Sequence, residues 1–187
     1  VGKQECDIAI LGTATYLPWR AARVLFEHQR DFNYIDTATL LERASISPDG
    51  IKVGSARYQV LVVDGPDSVG PGVREAIAPL IAEGRVLAYL DAVQGIPSPA
   101  ADESRLLEAL SLHATPDLVV NPPHRDIRYR HLIVDGCDLY FITNEGSSAV
   151  DVEVSVDLSG TASWWDPYAP GVLEGQAAGR LAMGSYE

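Results

Sequence analysis

Short apolar runs alternate with segments of helical spacing through the first 90 residues, and then the period changes. Residues 7–11 end in Ile8, Ala9, Ile10 and Leu11, a continuous run of the kind buried on both faces, closed by Gly12 and Thr13. Residues 18–29 place Ala22, Leu25, Phe26 and Gln29 on one helical face, with Pro18 suited to a first turn. Phe32 to Ile35 reads as a second strand, and Asp36 or Thr37 can cap a helix carrying Leu40 and Leu41. Ser47 to Gly50 spells a turn, 51–53 a brief extended piece, and 58–63 a strong strand. Residues 71–82 are helical through Val73, Ile77, Leu80 and Ile81, with Pro79 expected to kink or shorten them. Residues 86–90 make a fourth buried strand. The resulting β-α-β-α-β-α-β order is most economically met by parallel strands with right-handed crossovers covering both faces. Residues 102–112 add a helix, and 118–120 a last, edge strand.

After Asn121, Pro122 and Pro123 the period becomes two. Residues 128–134 and 138–143 are runs of β-formers around Asp135-Gly136, the pair a tight hairpin needs at φ > 0. In residues 149–158, Val150, Val152, Val154 and Val156 alternate with Asp151, Glu153, Ser155 and Asp157, a half-exposed antiparallel strand. Residues 161–166 and 179–183 complete the set. The expected division is an α/β domain over 1–121 and an antiparallel β domain over 128–187.

Composition narrows the function classes. The 187 residues are 47% hydrophobic and 21% charged, which suits a folded soluble chain, and no apolar run reaches the ~20 residues of a membrane span. The net charge of −12 (14 − 26) repels phosphate backbones, so neither nucleic acid nor membrane is an expected partner. Cys6 and Cys137 are far apart, so two buried free thiols are expected and neither disulfides nor a zinc site. The chain opens on Val1 and reads as a piece of a longer polypeptide, which leaves its cellular location open.

Candidate chemistry lies in two places. The carboxyl ends of the parallel strands would gather Asp36, Asp64, Asp67 and Asp91, as a divalent-cation site or, more plainly, as caps and turns. No GxGxxG or GxxxxGK[ST] supports a nucleotide, and no cofactor is expected. Trp164, Trp165 and Tyr168 can stack on sugar. Adjacent tryptophans on a strand face opposite ways, and the plainer reading has Trp165 and its neighbours packing the β layer against the first domain. No His pair has metal spacing, and His131 reads as a structural donor to a carbonyl or carboxylate.

Arg130-His131, Asp135-Gly136, Asp138, Tyr140-Phe141 and Asn144, followed by Trp165-Asp166-Pro167, resemble the tail of bacterial α-L-rhamnosidase-type glycoside hydrolases. The stretches FNYID, GIKVGSARYQVLVV and IAEGRVLAYL precede them in the order that family shows. The chain departs from it at Glu83-Gly84-Arg85, where a double glycine is usual, and at Cys137, where a small residue is. The element order is also similar to flavodoxin-like and class I amidotransferase-like domains. There a nucleophilic Cys follows the strand corresponding to 86–90, but this chain has Leu90, Asp91 and Ala92 and no His-x-Glu. The resemblance implies a non-catalytic module plus the start of a β-sandwich, with the catalytic carboxylates in an upstream domain of the same polypeptide. Expected partners are that domain, a carbohydrate, or a second copy of the chain. The alternatives are a carbohydrate-binding module on Trp164, Trp165 and Tyr168, or a flavodoxin-like protein binding a small molecule at the Asp64/Asp91 rim.

Overall fold

The computed structural model describes residues 2–65, 69–97, 99–157, 162–167, 172–175 and 178–186. The chain begins with β1 (Lys3–Gln4), β2 (Ile8–Gly12), α1 (Arg20–Glu27), β3 (Phe32–Asp36) and α2 (Thr37–Glu42). It continues through β4 (Ala44–Ser47), β5 (Gly50–Val53), β6 (Ala56–Tyr58), β7 (Val60–Val63), α3 (Pro71–Ala82), β8 (Val86–Ala88) and α4 (Glu103–Ser111). Four of these strands form one parallel sheet in the order β3-β2-β7-β8. Alternation along β2 shows why both faces are covered. Ala9 and Leu11 join Leu61, Val63, Val73, Ile77 and Leu80 in one core, while Ile8 and Ile10 join Val24, Leu25, Val60, Leu106 and Leu110 in another. Each buried aliphatic side chain of this kind contributes about 1.5–3 kcal/mol of transfer free energy, which the paired apolar runs supply from both sides.

The strand expected over 58–63 is divided. Tyr58 ends β6 in an antiparallel meander of β4, β5 and β6, whereas β7 enters the parallel sheet. Gln59 and Val60 both donate backbone N–H groups to the Asp7 carbonyl, at 2.7 and 3.1 Å, and there the chain changes sheets. Pro79 neither breaks nor shortens α3, which runs from Pro71 to Ala82. Helix α1 starts at Arg20, two residues after the proline expected to open it.

The second half supplies β9 (Leu118–Asn121), β10 (Ile127–Val134), β11 (Cys137–Asn144), β12 (Val150–Val156), β13 (Ala162–Trp165), β14 (Val172–Gly175) and β15 (Ala178–Met183). Asp135 and Gly136 adopt φ of 52° and 81° between β10 and β11, the left-handed pair of a two-residue hairpin, with Val134 opposite Cys137. The sheets β1-β10-β11 and β15-β12-β9 enclose a third core of Leu118, Val120, Ile127, Tyr129, Val150, Val152, Val154 and Met183. β13 pairs with β14 as a separate ribbon.

Two elements depart from expectation. Residues 118–120 are not an outlying strand of the parallel sheet; β9 pairs antiparallel with β12, because Leu118 and Val120 alone are buried and the strand has a single apolar face. β1, unread in the sequence, lies against β10 with Gln4 opposite Leu132, so the start of the chain adds a third strand to the β10-β11 pair. The fold is therefore mixed: a parallel sheet wrapped by helices, joined to antiparallel sheets through β1 and β9.

Candidate functional site

At the carboxyl end of the parallel sheet the expected acids take separate roles. Asp36 caps α2, its carboxylate accepting from the Thr39 N–H at 2.8 Å and the Thr39 hydroxyl at 2.9 Å. Those hydrogen bonds hold its carboxyl below the ordinary carboxylate range. Asp64 is buried, with Oδ1 accepting from Arg20 Nε at 2.7 Å and Oδ2 from the Ala21 N–H at 2.9 Å. Arg20 also donates through Nη2 to Asp91 Oδ2 at 2.5 Å, so one guanidinium bridges both acids. Asp67 lies outside the described residues. Asp36 is thus a cap, Asp64 and Asp91 are ion-paired, and among the described residues no three acid, His or Cys side chains group as metal ligands. The α1 N-terminus, where a flavodoxin-like sheet would receive a phosphate, is filled by the chain's own Asp64 carboxylate.

Four side chains that sequence reasoning passed over belong to the two segments that carry this bridge, the loop before Arg20 and the turn before Asp91. Tyr16, Leu17, Trp19 and Leu90 are all exposed, Trp19 by 59%. The loop that carries the first three is pinned. Thr13 N–H donates to the Tyr16 carbonyl at 2.9 Å, Thr13 Oγ1 accepts from the Tyr16 N–H at 3.1 Å, and Tyr34 donates its hydroxyl to the Pro18 carbonyl at 2.6 Å. Leu90 has φ of 63°, a left-handed conformation costly for a branched apolar residue, immediately before Asp91. The available signal was the string Tyr16-Leu17-Pro18-Trp19-Arg20, apolar and aromatic just where a parallel strand ends.

Trp164 and Trp165 do face opposite ways. Trp164 packs on the third core, above Gly179, where an added Cβ would stand 3.4 Å from Trp164 Cζ2. Trp165 is 73% exposed, which corrects the expectation that it packs against the first half of the chain. Tyr168 lies outside the described residues. Cys6 is half-buried, while Cys137 is exposed at the start of β11, so the expectation of two buried thiols fails for Cys137.

The remaining charged cluster joins the two halves. His131, buried on β10, has Nδ1 2.7 Å from Asp117 Oδ2 and Nε2 2.8 Å from Asp138 Oδ1. Tyr140 stacks on the imidazole at 4.2 Å between centroids. Tyr129 donates its hydroxyl to Asp117 at 2.5 Å and accepts from the Asp31 N–H at 3.3 Å, and Asp31 in turn accepts from the His131 N–H at 3.3 Å. Burial works against charge on His131, but the bonds to Asp117 and Asp138 outweigh it and raise its pKa above the ordinary value. Asp117 is likewise opposed by burial, yet its bonds from His131 and Tyr129 lower its pKa. His131, Asp117, Tyr129 and Asp31 line a cavity of about 180 Å³ with Glu5, Asp7 and Cys6, and burial, with Asp31 next, pushes the Cys6 thiol upward. With both ring nitrogens committed to carboxylates, His131 has no lone pair to serve as a base, and Cys6 is poorly disposed to form a thiolate. The cluster is a junction.

No protein-family model matches the chain, and no curated protein does. The solved structure of a rhamnosidase from Novosphingobium sp. PP1Y superposes on all of it, with a TM-score of 0.70 at 15% identity. The chain shares the fold of part of a rhamnosidase. It spans 22% of the length of that protein. At this level of identity the likeness is one of rhamnosidase-related fold, carried by the mixed parallel and antiparallel sheets together.

Proposed function

We propose that the chain is an accessory, non-catalytic module of a multidomain glycoside hydrolase, holding a catalytic part of the same polypeptide or a second copy in place. The supporting observation is the likeness of the whole chain to 22% of a rhamnosidase. Its parallel part reads as an amidotransferase-like scaffold whose turn after β8 carries Leu90 and Asp91 in place of a nucleophile. Asp64 and Asp91 share one guanidinium and are poorly placed to act as a glycosidase acid and base. The supporting surface is β11, at the edge of its sheet, which presents Leu139 and Phe141 to solvent. The test is turnover of aryl α-L-rhamnoside and aryl galactoside by the purified chain. None is expected; turnover that survives purification and vanishes in a carboxylate variant would overturn the reading.

A second reading, sugar binding through Trp164, Trp165 and Tyr168, has the exposure of Trp165 in its favour. It predicts sugar affinity that Trp165→Ala removes without unfolding the chain.

A further inference from the structure

We propose that the carboxyl rim of the parallel sheet binds a neutral sugar ring, with Trp19 as the stacking surface and Arg20 and Asp91 as its hydrogen-bonding edge. This rests on the glycoside-hydrolase reading for the choice of ligand class, and on the rim's own geometry for the site.

Three independent features converge there. Trp19 is 59% exposed, and Arg23, with its guanidinium carbon 5.9 Å from the ring centroid, steadies the indole by a cation–π contact. The bridge made by Arg20, the next residue in the chain, is only partly used. Asp91 accepts one bond, through Oδ2, and Arg20 donates through Nε and Nη2, leaving Asp91 Oδ1 and Arg20 Nη1 without a partner among the described residues. The backbone is arranged to hold that edge. Leu90 sits at φ of 63°, its N–H donating to the Ala100 carbonyl at 2.9 Å, while the Asp91 N–H donates to the Tyr89 carbonyl at 2.8 Å. A left-handed leucine at a strand end persists only where surrounding contacts enforce it, and such positions cluster at binding sites.

Charge and shape select among ligands. Asp64 and Asp91 face the Arg20 guanidinium and Arg23 lies against Trp19, so the rim itself is balanced in charge, and with −12 on the chain overall it has no positive excess to select a phosphate, sulfate or uronate group. The α1 N-terminus offers no anion site, because Asp64 already accepts from Ala21. An apolar protein surface closing over the rim would strip water from the Arg20–Asp91 pair without replacing its hydrogen bonds. A pyranose meets both demands: its C–H face stacks on the indole, and its hydroxyls stand in for the water on Arg20 and Asp91. The pinned 13–18 loop holds the aromatic group in place before binding, which lowers the ordering cost.

The test is titration of the whole chain with methyl α-L-rhamnopyranoside, methyl α-D-glucopyranoside and D-galacturonate. It is followed by amide chemical shifts in the wild type, Trp19→Ala, Asp91→Ala and Trp165→Ala, with the melting temperature of each variant recorded. Saturable binding of a neutral glycoside on the order of a millimolar is expected, the scale that one stacked ring with two hydrogen bonds can supply. Trp19→Ala should weaken it at least about tenfold and Asp91→Ala several-fold at unchanged melting temperature, while Trp165→Ala leaves it intact. No saturation by either neutral glycoside at tens of millimolar, equal binding by Trp19→Ala, preference for galacturonate, or loss only in Trp165→Ala would each overturn the proposal. None of these outcomes bears on turnover of aryl glycosides, so the two readings fail separately.

Discussion

An imidazole with a carboxylate on each ring nitrogen has to carry two protons to satisfy both, and His131 is placed that way between Asp117 and Asp138. Burial costs that charge something, yet the two bonds raise the pKa above 6.5. A raised histidine contributes stability that is fully present below its unfolded value and is lost as pH rises through the folded one. Asp117, lowered from 3.8, contributes stability present above that value and lost as pH falls through its folded pKa. Both contributions therefore stand in mildly acidic solution, and the histidine's fades on the alkaline side. His131→Gln is expected to destabilise by about 1–3 kcal/mol near pH 5.5, measured by urea unfolding. The gap from wild type should narrow as pH rises through the raised folded pKa, on the alkaline side of the ordinary histidine range; a gap that widens as pH rises would refute the charged pairing. A structural donor at His131 was legible in the sequence, since it sits in a hairpin strand with acids nearby. Its partner Asp117 was not, because nothing local marks residue 117 as adjacent to residue 131. The same holds for Arg20, whose contacts lie 44 and 71 residues away.

Elements were readable wherever a local rule decides them. The hairpin turn follows from Asp135-Gly136, α3 from its apolar spacing, and β12 from a strict alternation that the burial pattern reproduces. Pairing was less readable. Tyr58 and Val60 look like one strand but belong to two sheets, and β1 has only two residues, too few for any periodicity. Two glycines show how differently equal-looking turns are constrained. At Gly136, φ is 81° and nothing stands within 4 Å of an added Cβ, so alanine there meets only backbone strain. At Gly50, φ is 146° and an added Cβ would lie 2.3 Å from the Tyr58 carbonyl oxygen, a backbone atom that cannot swing away. Gly136→Ala should cost about 1 kcal/mol and Gly50→Ala at least about 2–3 kcal/mol, compared by chemical denaturation. Equal losses would mean that the β4-β5-β6 meander yields more easily than its backbone contacts imply.

At the scale of the whole molecule, the change of period near residue 121 marks a change of architecture without marking where the chain can be cut. β9 precedes that point yet supplies Leu118 and Val120 to the third core, in register with Val156 and Val154 of β12. β1, at the far end of the chain, pairs with β10, and Asp117 holds His131. Gln29, at the end of α1, is buried and donates to the His124 and Ile127 carbonyls at 2.8 and 3.0 Å, while Arg128 reaches back to the Phe26 carbonyl at 3.3 Å. A fragment of residues 128–187 would lose β9, β1, Ile127 and Asp117, one of the two carboxylates on His131. It would keep the β10-β11 and β12-β15 pairs with few buried side chains, and chains this short bury too little surface to spare such losses. The fragment is expected to give a collapsed amide spectrum and no cooperative melt, whereas one of residues 114–187, which restores β9, Ile127 and Asp117, should recover part of both. Dispersed amide signals and a sharp melt from 128–187 alone would show that the antiparallel sheets fold without their borrowed strands, and that the two halves are joined by a linker instead of a shared core.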